Sequence, residues 1–171
     1  MQEKRDLYDI DKKPIGKTIN KGEKIPNNNY ILVVTMFIEN EENKVLIQKR
    51  SREKGGKYGF LSGHPKEGES SICGIITEAY EELGLRISEE DILLIHTEKT
   101  SNKFFDFYYM KKNIYLPMLK LQNEEVENVC WLSIEEINKL IKEEKFFEKH
   151  IDAYEIFRNY RLQNSVNNVL D

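Results

Sequence analysis

Seven of the nine glycines in this 171-residue chain lie between residues 55 and 84. Glycine adopts backbone angles that other residues avoid and lets another group approach the main chain, so the cluster predicts a shaped loop. Two segments before it, Tyr30–Ile38 and Val45–Gln48, are rich in β-branched or aromatic residues and are typical of strands around a turn at Asn40–Asn43. Such flanks argue against a flexible linker, and function is expected in the loop.

A helix is predicted directly after the glycine-rich loop. Ser70 or Ser71 can cap its start, and Gly84 stands where a C-terminal cap belongs. Apolar residues recur at helical spacing between these ends and would form the buried stripe, namely Ile72, Ile75, Ile76, Ala79 and Leu83.

The other predicted elements surround this loop and helix. Strands are expected at Asp6–Ile10, Ile15–Ile19, Asp91–Lys99, Phe104–Lys111 and Val126–Leu132, and helices from Ser133 to about Glu143 and over 147–162. The mixed order predicts an α+β fold, an α/β/α sandwich with a mixed central sheet. We expect one domain over residues 1–171, with a β-hairpin extension at 1–28 and a frayed tail at 164–171.

Composition excludes several classes of function. Lys and Arg total 26 against 30 Asp and Glu, giving a net charge of −4, so a nucleic-acid-coating protein is not expected. No run of 18 apolar residues could span a membrane, and the first residues lack the apolar stretch of a signal peptide. Cys73 and Cys130 form no metal-binding pattern, and we expect them reduced in a cytoplasmic protein.

Three carboxylates on the predicted helix carry the chemical argument. Glu78, Glu81 and Glu82 fall on one side of the apolar stripe, with Glu82 nearest to it. Like charges at this spacing repel, so a basic side chain or a divalent metal should offset them. Carboxylate oxygens suit Mg²⁺, with Mn²⁺ as a substitute. The alternative is a solvated acidic face in a chain with 23 glutamates.

The spacing of these residues resembles a known signature. Gly63 is followed after five residues by Glu69, and after seven more by the run Thr77–Leu85. This resembles the Nudix box, G-x5-E-x7-R-E-U-x-E-E-x-G-U with U aliphatic. The single departure is Thr77, which stands where the family has arginine. The segments Asp6–Ile10, Val45–Ser51 and Glu124–Ser133 resemble the isopentenyl-diphosphate-isomerase-like branch of that family.

The resemblance implies a Nudix fold and assigns roles residue by residue. Metal ligands would be Glu78 and Glu82 above all, then Glu81 and the carbonyl oxygen of Ser62. Gly63 and Glu69 would brace the loop.

Groups outside the box would complete the implied site. Glu125 is the preferred general base among the candidates Glu124, Glu125 and Glu127, and each can equally belong to a solvated turn. Arg50 and Lys54 would bind the diphosphate.

The implied function is Mg²⁺-dependent hydrolysis of a diphosphate linkage in a nucleoside diphosphate derivative. The expected partner is a small-molecule substrate, and no binding to nucleic acid or to a membrane is expected. The oligomeric state stays open, and a homodimer is among the options. The specific substrate also stays open. The aromatic run Phe104–Tyr109 can stack a base, although strand packing is the commoner use of such residues.

Two alternatives remain. The stretch Ser62–Ser70 resembles the isomerase sequence C-G-H-P-x-x-G-E-S, in which His64 matches a metal-binding histidine. Ser62, however, replaces the acid–base cysteine, and a hydroxyl is a far weaker proton donor and acceptor than a thiol. A non-catalytic nucleotide or metabolite sensor is the other alternative, since Thr77 cannot orient a glutamate as the family arginine does.

Overall fold

A computed structural model describes residues 3–167 of the chain, with side chains to residue 165. The helices are α1 (Ser71–Leu83), α2 (Ile134–Lys142) and α3 (Ile151–Asn167). The strands are β1 (Lys4–Tyr8), β2 (Pro14–Asn20), β3 (Ile31–Glu39), β4 (Val45–Arg50), β5 (Tyr58–Gly59), β6 (Leu61–Gly63), β7 (Leu93–Lys99), β8 (Lys103–Lys111) and β9 (Val126–Leu132).

Seven of these strands form one mixed sheet. The order β5-β4-β3-β8-β7 is extended by β6 on β3 and by β9 on β4. Strand β3 runs parallel to β8, from Ile31 opposite Lys103 to Glu39 opposite Lys111, whereas the other pairs are antiparallel. All nine residues of β3 are buried, as expected for a central strand covered on both faces.

Helices cover both faces of the sheet. Residues Ile75, Ala79 and Leu83 of α1 pack on one face. The opposite face is covered by α2 and α3 through apolar side chains that include Ile137, Tyr154 and Phe157. The predicted α+β class and α/β/α layering are therefore confirmed.

Local signals explain where the first two helices begin and end. Ser70 accepts a hydrogen bond from the backbone N–H of Cys73, and Gly84 ends α1 in the left-handed conformation. At α2, Ser133 and Glu136 bond reciprocally to each other's backbone N–H groups, which is the capping box that the sequence predicts.

The third helix differs from its prediction at both ends. Expected over 147–162, α3 begins at Ile151, because the backbone of Lys145 accepts a hydrogen bond from Tyr58 of β5 and the backbone N–H of Phe147 donates one to it. It then continues through Asn167, so residues 164–167 are helical rather than frayed. Residues 168–171 of the expected tail lie outside the described residues.

Strands β1 and β2 form a separate hairpin that is fastened to the sandwich. Tyr8 pairs with Tyr30, just before β3. Lys12, in the turn of the hairpin, forms an ion pair with the buried Asp106 of β8. Asp106 also accepts hydrogen bonds from Ser71 and Thr97, so one carboxylate joins the hairpin, the start of α1 and strand β7.

Neither a membrane-spanning helix nor a disulfide is present in the part of the chain that the structure describes. No helix within residues 3–167 combines the length and apolar character needed to cross a bilayer. Cys73 is exposed and Cys130 half-buried, and both are free thiols.

Candidate active site

A cavity of about 560 Å³ lies where the glycine-rich loop, α1 and the centre of the sheet meet. Eight of the predicted site residues line it: Arg50, Lys54, Ser62, Gly63, Glu78, Glu81, Glu82 and Glu125. Glu69 lies outside this lining. The cavity thus brings together residues from β4 and the turn after it, from β6, from α1 and from the turn before β9.

Glu78 is enclosed by the loop that precedes α1. Its Oε1 accepts a hydrogen bond of 3.0 Å from the backbone N–H of His64. A Cβ atom on Gly63 would lie 2.0 Å from the Glu78 carboxyl carbon, so only glycine leaves room for this carboxylate. Burial raises the pKa of Glu78 to about 7, with the nearby Glu81 adding to the rise and the His64 bond opposing it.

Glu82 lies one helical turn further along α1. Its Oε2 accepts a hydrogen bond of 2.8 Å from Nε2 of Gln48 on β4. Burial raises the pKa of Glu82 to about 8; Glu78 and Glu125 add to the rise, and Arg50 and Lys54 oppose it. The sequence expectation that Glu82 sits beside the core is confirmed.

Glu81 has different surroundings from its two neighbours. Its side chain is exposed and forms an ion pair with Lys66 of the loop. Within residues 3–167 no three His, Cys, Asp or Glu side chains form a ready metal-binding group. The three glutamates on α1 therefore divide into a buried pair and an exposed third that is bound to a cation.

The buried pair fits a divalent cation. Neither Glu78 nor Glu82 forms an ion pair with any described side chain, although burying an uncompensated carboxylate is costly. Glu78, Glu82 and Ser62 line the same cavity, and carboxylate oxygens are ligands of the kind that Mg²⁺ or Mn²⁺ prefers.

Thr77 and Glu69 join the loop to the helix. The hydroxyl of Thr77 donates to Oε1 of Glu69 over 2.7 Å, and the backbone N–H of Lys66 donates to Oε2 over 2.8 Å. Glu69 thus holds the loop against α1 through two neutral donors. Among the described residues no basic side chain forms an ion pair with Glu69, and the nearby loop residues Lys54 and Lys57 pair instead with Glu125 and Glu148.

The comparisons with known proteins agree with this loop-and-helix geometry. A sequence profile described as the NUDIX domain matches residues 29–154. The chain belongs to the Nudix family. An uncharacterized Nudix hydrolase of Listeria monocytogenes is 33% identical over 142 residues, covering 81% of this chain and 84% of the relative. A Nudix hydrolase of Listeria innocua, also uncharacterized, matches over the same shares with the same identity.

Solved structures share the Nudix fold at low sequence identity. The crystal structure of DR0079 from Deinococcus radiodurans has a TM-score of 0.73 and 18% identity, covering 91% of this chain and 98% of that one. The NUDIX domain of Shewanella oneidensis NrtR, complexed with ADP-ribose, has a TM-score of 0.60 and 17% identity, covering 77% and 88%.

Three predicted residues outside the Nudix box meet on one side of the cavity. Nζ of Lys54 lies 2.8 Å from Oε1 of Glu125, and Nε of Arg50 donates to the backbone oxygen of Lys54 over 3.2 Å. Of the three candidate bases, Glu125 lines the cavity, whereas Glu127 is exposed and paired with Lys49, and Glu124 is exposed.

Ser62 uses its side chain within the sheet. Its hydroxyl donates to the backbone oxygen of Val34 over 2.9 Å and lies 3.0 Å from the Thr35 hydroxyl. His64 lines the cavity, where burial and then the charges of Arg5 and Lys103 lower its pKa to about 3. His64 is therefore a neutral imidazole beside the Nudix loop.

Several residues of the site were not predicted from the sequence. Gln48 does not line the cavity but bonds to Glu82, and it offered a signal because it is a buried polar residue that follows three buried apolar ones in β4. His150 and Phe147 offered none, because they follow α2 and reach the site only through the pairing with β5. The hairpin side chains of Glu3, Arg5 and Lys21 also line the cavity.

Proposed function

We propose that this chain, a hydrolase acting on phosphorus-containing anhydrides, cleaves a diphosphate linkage in a nucleoside diphosphate derivative with the help of Mg²⁺. The observation that carries the proposal is the pair of buried carboxylates, Glu78 and Glu82, which face the cavity without a cationic partner among the described residues. A divalent cation bound there would offset both charges and draw phosphate oxygens into the cavity.

Each side chain of the site has a task that its position supports. Glu78, Glu82 and the carbonyl oxygen of Ser62 would hold the metal, and Glu81 would join them by leaving Lys66. A bound Mg²⁺ neutralises charge that develops on the phosphate oxygens and acidifies water. Mn²⁺ would serve as a substitute.

The residues outside the box would bind substrate and move a proton. Arg50 presents a guanidinium that suits phosphate oxygens, and Lys54, also expected to bind the diphosphate, lies beside it in an ion pair with Glu125. Glu125 would accept the proton of the attacking water, and the ammonium of Lys54, 2.8 Å away, holds that carboxylate in place. Gly63 and Glu69 fix the loop that presents the Ser62 carbonyl.

The substrate is a small molecule of the nucleotide class. The acidic net charge of −4 argues against a nucleic-acid partner, and we place the protein in the cytoplasm. ADP-ribose, which a structural relative binds, belongs in any substrate panel.

A panel of nucleoside di- and triphosphates, nucleotide sugars and dinucleotides, assayed with and without Mg²⁺, tests this proposal. We expect Mg²⁺-dependent release of phosphate-containing products from at least one member. Tight nucleotide binding without turnover of any member would instead favour the sensor alternative.

The isomerase alternative rests on the resemblance of Ser62–Ser70 to the isomerase loop. The hydroxyl of Ser62 is engaged with Val34 and Thr35, so it is a poor replacement for an acid–base thiol. Incubation with isopentenyl diphosphate and Mg²⁺ is expected to give no isomerisation, and isomerisation by the unmodified protein would overturn the hydrolase proposal.

A further inference from the structure

The floor of the cavity extends well beyond the Nudix box. Lys103, Phe105 and Phe107 alternate along β8, share one face of the strand and all line the cavity. Phe107 lies at the level of Ser62, because both residues pair with Thr35 of β3. Lys103 is four residues nearer the start of β8, which corresponds to about 13 Å along the strand. The cavity therefore has a second end, which lies beyond Phe107 and Phe105 from the level of Ser62.

Three cations meet at this remote end. Arg5 of the hairpin and Lys149, just before α3, line the cavity together with Lys103. Burial, Lys149 and Arg5, in that order, lower the pKa of Lys103, so both cations lie close enough to repel the Lys103 ammonium.

The available carboxylates leave this charge only partly compensated. Within residues 3–165 neither Lys103 nor Lys149 forms an ion pair. Glu3 is shared between Arg5, at 3.3 Å, and Lys21, at 2.9 Å. Glu98 and Asp152 also line the cavity but bond to none of these cations.

We propose that Arg5, Lys103 and Lys149 form a second anionic subsite, which binds a phosphate monoester or carboxylate on the part of the substrate remote from the scissile diphosphate. Phe105 and Phe107 lie between the two ends and would contact the intervening sugar or base. This inference rests on the proposed function and selects, among nucleoside diphosphate derivatives, those that carry a further negative charge.

Matched pairs of nucleotides test the subsite. UDP-glucuronate differs from UDP-glucose by a distal carboxylate, and NADP differs from NAD by a phosphate monoester. Titration calorimetry with EDTA present gives binding constants without turnover, and Mg²⁺ assays give kcat/KM. We expect the more anionic member of at least one pair to bind about tenfold more tightly, the size of one charge-assisted interaction. The pair that responds identifies the anion as carboxylate or phosphate.

Two lysine variants give the control. Lys103→Gln should reduce the preference within the responding pair to about twofold or less, because it removes one of the charges that hold the distal anion. Lys111→Gln, at the exposed opposite end of β8, should leave the preference unchanged.

Equal binding of both members of both pairs would overturn the subsite, even if diphosphate hydrolysis is found. If no panel member is hydrolysed, the proposed function fails, while the calorimetric preference still tests the subsite by itself.

His150 supports a second, independent inference. The side chain is only 8% exposed, and its Nδ1 accepts a hydrogen bond of 3.0 Å from the backbone N–H of Phe60. A neutral imidazole that accepts at Nδ1 carries its proton on Nε2. Within residues 3–165 this Nε2 has no hydrogen-bond partner, and His150 lines the cavity.

We infer that Nε2–H of His150 donates a hydrogen bond to a substrate oxygen beside Arg50. Phe147 places the two groups together, since the Arg50 guanidinium lies 4.2 Å from its ring centroid and the His150 ring 5.0 Å from it. Burial and the charge of Arg50 lower the pKa of His150 to about 4, so the donor is neutral at pH 7.

Two amide variants separate substrate binding from structural support. His150→Asn can keep an acceptor for the Phe60 N–H but lacks the donor at Nε2, so we expect a nearly parental melting temperature and a loss of about tenfold in kcat/KM, or in UDP-glucose binding. His150→Gln can keep the donor at the position of Nε2 but loses the acceptor for the Phe60 N–H. We therefore expect a lower melting temperature with nearly parental kcat/KM or UDP-glucose binding. Parental kcat/KM and binding in His150→Asn would overturn the inference.

Discussion

At the scale of single residues, the box glutamates offer a direct comparison between buried and exposed carboxylates. Glu82 is buried against Gln48, whereas Glu81 is exposed and bound to Lys66. We expect Glu82→Gln to fold and to lose activity by about a hundredfold or more, because it removes a charge needed to hold the metal. Steady-state kinetics and melting curves with and without Mg²⁺ measure both effects.

The Glu81→Gln variant compares the exposed glutamate with the buried Glu82 as a ligand of the metal. It should lose less activity than Glu82→Gln and keep more of the stabilisation by Mg²⁺. Parental turnover in Glu82→Gln would place the metal elsewhere.

The Ser62→Ala variant removes the side-chain hydroxyl and keeps the backbone carbonyl, so it tests which of the two groups the reaction needs. We expect Ser62→Ala to keep kcat, because only the carbonyl oxygen is assigned to the metal. The same change should lower the free energy of unfolding by about 1 kcal/mol, since the hydroxyl bonds to Val34 and Thr35. Denaturant unfolding and kinetics on one preparation check both parts, and a large loss of kcat with an unchanged metal requirement would contradict the assignment.

At the scale of elements, Thr77 and Glu69 determine how firmly the loop is held against α1. Thr77→Val keeps the shape and removes the 2.7 Å bond, so we expect a loss of about 1 kcal/mol in stability together with lower turnover. Thr77→Arg offers Glu69 a charge-assisted bond and should raise turnover or leave it unchanged. Abolished activity in a folded Thr77→Arg protein would show that the site has been rebuilt around threonine.

Elements were predictable from sequence where their causes are local. The Ser70 cap, the Gly84 end of α1 and the capping box of α2 depend on neighbouring residues, and the structure has all three. The start of α3 was not predictable, because the competing bonds to Tyr58 come from a strand nearly ninety residues earlier. Spacing on one helix brought Glu78 and Glu82 together, whereas the approach of His150 and Arg5 depends on long-range packing.

At the scale of the whole molecule, the buried carboxylates make metal binding dependent on pH. The pKa values of Glu78 and Glu82 are raised from about 4.5 to about 7 and about 8. Between about pH 4.5 and these raised pKa values, and without metal, the folded protein keeps the protons of Glu78 and Glu82 while the unfolded chain releases them. The stabilisation of the folded state by these protons is therefore complete below about pH 4.5 and is lost as the pH rises toward 8.

Mg²⁺ competes with the same protons, so its stabilising effect should have the opposite trend. We expect the rise in melting temperature caused by Mg²⁺ to grow between pH 6 and pH 8.5. Melting curves in Mg²⁺ and in EDTA across this range measure the difference, with Glu82→Gln as the control that weakens the trend. A stabilisation that declines with pH would contradict the assignment of these carboxylates to the metal.

The parallel pairing of β3 with β8 has a consequence for the newly made chain. Lys103 enters the ribosomal tunnel about seventy residues after its partner Ile31, and the loop and α1 are synthesised between them. A nascent chain thus contains α1 and the strands β3, β4 and β6 before β8 can complete the sheet that covers the apolar stripe of α1. Long-range parallel pairing is slow, which leaves such intermediates open to aggregation and proteolysis. Translation must pass residue 111 before Glu78 and Glu82 lie against a complete β3–β8 pair.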